Sequence, residues 1–74
     1  MPYFVNMATK YRKVGLRIRK LRKEQNLTQE KLAEMANIDP KSIIEIESGK
    51  RNPTLKTIGK IAGALGVGIS DLIR

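Results

Sequence analysis

The stretch from Thr28 to Gly49, TQEKLAEMANIDPKSIIEIESG, constrains this chain more than any other. It spells two short helices joined by a turn that leaves them no room to separate. Thr28 suits an N-cap, because its hydroxyl can accept a backbone N–H of the first turn, and the residues after it are strong helix formers. Asp39-Pro40 opens the second helix: Asp supplies the capping oxygen, and Pro is tolerated at the first helical position because its missing N–H was an orphan donor anyway. Between the two, Ala36-Asn37-Ile38 is a turn in which Asn37 can take the left-handed conformation that ends a helix. Leu32, Met35 and Ala36 are expected to face inward, with Ala33 beside them. A small side chain at Ala33 lets the second helix cross close by. Ile38 is an apolar turn residue, expected to plug the core.

The second helix, Pro40 to Ser48, sorts by angle. At about 100° per residue, Ile43 and Ile46 fall on the core side, while Pro40, Lys41, Ile44, Glu45 and Ser48 share one broad outer face. An exposed Ile among charges is an ordinary stray surface residue or a contact for a thymine methyl. Gly49 then ends the helix as a left-handed C-terminal glycine. Two short helices this close form a helix-turn-helix, whose second helix can enter the DNA major groove.

The helix before this unit is expected from a cap at or near Thr9 to about Gln25. Tyr11, Val14, Ile18 and Leu21 make one stripe of a 3.6-residue period. Lys10, Arg12, Lys13, Arg17, Arg19, Lys20, Arg22 and Lys23 surround it, with only Glu24 as a near counter-charge. The chain as a whole carries +8, which suits a polyanion: nucleic acid before an anionic membrane surface, since the apolar stripe of this helix is needed for the core. Residues 1–8, containing Tyr3, Phe4 and Val5, form an apolar leader, read as a loose end, a patch folded onto the body, or an arm. Met7-Ala8-Thr9 also reads as an internal start followed by a cap.

After Gly49, Lys50-Arg51-Asn52-Pro53 is a polar, basic loop. Thr54 caps a further helix with Leu55, Ile58, Ile61, Ala62 and Leu65 on its inner face. Gly59 and Gly63 cost that helix roughly 1 kcal/mol each; close packing against another helix or marginal stability would account for them. Gly66-Val67-Gly68 breaks the chain, and Ile69 to Ile73 makes a last helical turn.

The 74 residues allow one small domain, and a helical bundle of this size gains from pairing with a second copy. No cysteine and no histidine are present, so neither a disulfide nor a structural zinc is expected. No metal, no cofactor and no enzymatic activity is expected: with no His, no Cys and no convergent carboxylate pair, little is left for acid–base or nucleophilic chemistry. No apolar run is long enough to span a membrane and nothing at the N-terminus resembles a signal peptide, so a cytoplasmic location is expected.

Four runs together carry a resemblance: Ile18-Arg19-Lys20-Leu21-Arg22; Leu27-Thr28-Gln29-Glu30-Lys31-Leu32-Ala33; Ile43 through Pro53; and Ile61-Ala62-Gly63-Ala64-Leu65-Gly66-Val67. The chain resembles the phage-repressor (Cro/CI, or XRE) helix-turn-helix family over about residues 14–73. The resemblance implies an all-α, five-helix DNA-binding domain over residues 9–74, with a C-terminal dimerisation segment. It implies a bacterial, phage- or plasmid-encoded regulator like the stand-alone phage repressors and restriction-modification controller proteins, acting as a homodimer on double-stranded DNA at the nucleoid. An antitoxin that neutralises a protein partner and binds DNA secondarily is the alternative.

Residue by residue, the resemblance implies that Lys41, Ile44 and Glu45 read base edges. Lys donates to guanine and Glu accepts from cytosine. Pro40 stands where the family often has a polar residue, and contributes less. Gln29, Lys50, Arg51, Asn52 and Arg19 are implied phosphate contacts, and Arg22 and Glu47 an internal ion pair. Gly68 stands where the family more often has a Ser cap, so the last helix is expected to be less firmly held. The dimer surface is expected at Leu65, Val67, Ile69, Leu72 and Ile73, which offer more apolar surface than one small core needs. With no room for a ligand-sensing domain, control is expected from concentration, a partner or proteolysis.

Overall fold

The computed structural model describes residues 7–73, with side chains for 11–73. All regular structure among the described residues is helical: α1 (Met7–Glu24), α2 (Gln29–Ala36), α3 (Pro40–Glu47), α4 (Leu55–Leu65) and α5 (Ser70–Ile73). The leader expected over residues 1–8 lies outside the described residues except for Met7 and Ala8, which open α1. Thr9, expected at or near the cap, lies within the first turn of α1.

The caps written in the sequence set the other boundaries. Thr28 Oγ1 accepts from the N–H of Lys31 at 2.9 Å, Asp39 Oδ1 from Lys41 at 3.0 Å, and Thr54 Oγ1 from Thr57 at 3.1 Å. Each satisfies one of the N-terminal donors a helix leaves orphaned. Asn37 closes α2 at φ 57°, and Gly66 closes α4 at φ 74°. Gly49 follows the Ser48 cap of α3 at φ 77°. Gly68 lacks a capping side chain, and Asp71 compensates: its carboxylate accepts the Gly68 N–H at 2.9 Å from within α5.

The core is made by Ile18 of α1, Leu32, Ala33 and Ala36 of α2, Ile43 and Ile46 of α3, Ile58, Ile61, Ala62 and Leu65 of α4, and Leu72 of α5. Val14, Leu21, Leu27 and Ile38 pack against it. Two expected core residues are on the surface. Met35 is 45% exposed and Leu55 is 68% exposed. In α2 the three small or compact residues Leu32, Ala33 and Ala36 fill the space against α3 and α4, and Met35 falls at the rim. Leu55 is the first residue of α4, at the exposed start of the helix.

α1 and α3 approach so closely that Gly15 has no room for a side chain. A Cβ there would overlap the carbonyl oxygen of Ile46 and lie 3.0 Å from that of Glu47. Close packing does not explain the glycines of α4: a Cβ on Gly63 would meet nothing within 4 Å, and one on Gly59 only Ile69 Cδ1 at 3.6 Å.

Candidate nucleic-acid interface

The crossing of α1 on α3 decides which face of α3 is free. With Ile43 and Ile46 buried, Pro40, Lys41, Ile44 and Ser48 point outward and Glu45 is half-buried. Ile44 is 49% exposed, a large apolar side chain left on the surface in the middle of this face. The Lys41 ammonium makes no ion pair among the described residues.

What holds α3 at this angle is a buried network. Arg22 Nε donates to Glu47 Oε2 at 2.7 Å and Arg22 Nη2 to Oε1 at 3.0 Å, a two-pronged, charge-assisted pair. Arg22 Nη1 also donates to the carbonyl of Leu27 at 2.7 Å, in the loop that leads into α2. Gln29 Nε2 donates to Glu47 Oε1 at 3.1 Å. One carboxylate at the end of α3 thus ties α1, the α1–α2 connection and the start of α2 to the helix. The expected Arg22–Glu47 pair is present. Gln29, expected at phosphate, uses its amide first to hold this network.

Around α3 lie the other expected contact residues. Arg19 lines a shallow depression with Arg22, Gln29, Ile44, Glu47 and Ser48, on the side of α1 toward the outer face of α3. Lys50 and Asn52 are exposed in the loop after α3. Arg51 differs: its guanidinium folds back along α3, with Nη1 donating to Ser42 Oγ and Nε lying 3.7 Å from Glu45 Oε1. Ser42 was not among the expected site residues. Its signal was available, since it stands three residues before Glu45 and shares its side of the helix.

The expected dimer surface divides. Leu65 and Leu72 are fully committed to the core of the single chain, so they are not available to a partner copy. Val67 is partly buried against the same core. Ile69 and Ile73 remain exposed. The short α5 can fill the gap between α1 and α4 only by turning Leu72 inward, which leaves its neighbours on the outside. Gln25, also not among the expected residues, donates from Nε2 to the carbonyl of Leu65 at 2.8 Å and so joins the end of α1 to the end of α4.

The five helices, the capped turn and the exposed α3 are matched by a family described as helix-turn-helix, over residues 18–72. This chain belongs to the helix-turn-helix family. Within the family it is similar to the immunity repressor protein of Bacillus phage phi105, 45% identical over 60 residues that cover 81% of this chain. The match covers 42% of that repressor, so this chain spans less than half of its length. It is also similar to the control protein C.MunI of a Mycoplasma species, 41% identical over 59 residues, covering 78% of this chain and 80% of the control protein. Among solved structures, the restriction-modification controller protein C.AhdI from Aeromonas hydrophila matches with a TM-score of 0.84 at 36% identity, covering 86% of this chain and 97% of C.AhdI. The family consists of DNA-binding transcriptional regulators and not of enzymes. The expectations of a phage-repressor-like, five-helix, DNA-binding regulator hold at that level. Among the described residues no helix is long and apolar enough to cross a membrane.

Proposed function

We propose that this helix-turn-helix chain is a sequence-specific regulator of transcription that lays α3 in the major groove of double-stranded DNA and works as a homodimer on a near-palindromic operator. The observation that carries this reading is the outer face of α3. A free ammonium at Lys41 and a half-exposed Ile44 stand between two basic edges, Arg19 on one side and the Lys50–Asn52 loop on the other. Groove edges offer acceptors and thymine methyls to such a face, and phosphates flank it.

Lys41, Ile44 and Glu45 supply the choice of sequence. Pro40 fixes where the helix starts and adds little readout, having no N–H and no polar side chain. Arg19, Lys50 and Asn52 grip the backbone. Gln29 has a second amide proton left for phosphate after serving Glu47. Phosphate contacts supply most of the affinity and its salt dependence. Two copies set their recognition helices roughly one helical turn, about 34 Å, apart. Ile69, Ile73 and the partly buried Val67 form the contact between them. Such a regulator acts in the cytoplasm. Selection of bound duplexes from a random pool tests the reading: a two-fold repeated motif supports it, and recovery of unbiased sequence contradicts it.

A further inference from the structure

We infer that Arg51 is a positioning residue for base recognition, acting through Glu45, and not only a phosphate contact. This rests on α3 being the recognition helix. Arg51 leaves the loop after Gly49 and returns along α3, where its guanidinium engages two side chains one turn apart, Ser42 through Nη1 and Glu45 through Nε. It also lines a shallow pocket with Ile38, Ser42, Ile46 and Pro53. The bond to Ser42 holds the guanidinium in place and sets its Nε beside the Glu45 carboxylate at ion-pair distance; an ammonium lacks the fork that reaches both.

Glu45 makes this arrangement consequential. A carboxylate on a groove-facing helix is repelled by phosphate and useful only if it meets a cytosine amino group at the right place. Among the described residues Arg51 is the cation within ion-pair distance of it. Lys41 stands one helical turn before Glu45 and makes no pair with it. Arg51 therefore sets both the rotamer of Glu45 and the net charge of this corner of α3. Without Arg51 the carboxylate is free to swing and its charge is uncompensated, so the base pair it faces is read less sharply.

The test compares duplexes that differ only at the base pair whose preference Glu45→Ala abolishes, the motif having first been obtained by selection with the full chain. Kd is measured for the preferred duplex and its three single-pair variants. Arg51→Ala is expected to reduce discrimination at that pair by roughly two- to fivefold, the range a half-exposed ion pair supports. The same substitution made together with Glu45→Ala is expected to leave discrimination where Glu45→Ala alone puts it. Arg51→Lys keeps the charge without the fork and should recover affinity while leaving discrimination low. Thermal melting of each variant confirms the fold. Equal weakening of all four duplexes by Arg51→Ala, with the ratios between them unchanged, overturns the assignment while leaving DNA recognition by α3 intact. A wild-type chain that enriches no motif overturns the recognition reading itself, and this assignment with it.

Discussion

Arg22 of α1 and Glu47 at the end of α3 meet in the interior, 2.7 Å apart at their nearest atoms, with side chains only 9% and 4% exposed. Paired charges so far from water cost a good deal to bury, and removing one strands the other. Glu47→Ala should therefore destabilise the domain by about 3 kcal/mol or more, read from urea unfolding. Replacing both at once, Arg22→Met with Glu47→Leu, should cost less than the single change, because apolar residues can fill a site that an ion pair leaves. A double variant weaker than the single one would show that the bonds to Leu27 and Gln29 matter more than the pair.

The two glycines Gly15 and Gly63 should respond to alanine with opposite signs. At Gly15 a methyl group overlaps the backbone of α3, so α1 must shift, at a cost of about 1–3 kcal/mol. Gly63 is exposed within α4 and its added methyl meets nothing, so alanine should stabilise by up to about 1 kcal/mol through helix propensity. In a domain this small each kcal/mol moves Tm by roughly 4–8 °C. Thermal denaturation followed by circular dichroism separates the two.

Self-association should depend on Ile69 and Ile73 and not on Leu65 and Leu72. Ile69→Glu with Ile73→Glu alters positions that are 37% and 51% exposed and should weaken the dimer while lowering Tm of the monomer less than a core substitution does. Leu72→Ala empties a core position and should cost about 2–5 kcal/mol. Sedimentation of the two variants beside the wild type is the measurement. A dimer unaffected by glutamates at positions 69 and 73 would move the contact elsewhere on the surface.

Lys50 is exposed and makes no ion pair among the described residues. As a phosphate contact it should weaken every duplex alike when changed to alanine and reduce the slope of log affinity against log salt by about 1. An altered motif at constant slope would assign Lys50 to the bases.

The elements whose chemistry is local were legible from the chain alone. Thr28, Asp39 and Thr54 cap helices because a cap is decided within three residues, and Asn37 and Gly49 mark turns because few residues tolerate positive φ. The Arg22–Glu47 pair was implied by family resemblance and is present. Contacts that depend on how far one helix lies from another were not legible. Gly15 is an instance: a glycine inside a helical stripe signals a close approach, yet its partner, the Ile46 carbonyl, lies 31 positions away and is set only by the crossing of α1 on α3. Met35 ended outside because Leu32, Ala33 and Ala36 already fill the space inside α2, and Leu55 stands at the first position of α4. Arg51 lies on α3 because the turn at Gly49 reverses the chain, a direction no periodicity records.

The most direct test of α3 as the reading element is selection from random duplexes with three chains: wild type, Lys41→Ala and Glu45→Ala. The wild type should enrich a two-fold repeated motif, and each variant should lose preference at its own position in the half-site while keeping the rest. The same motif from all three would contradict the assignment of sequence recognition to this helix.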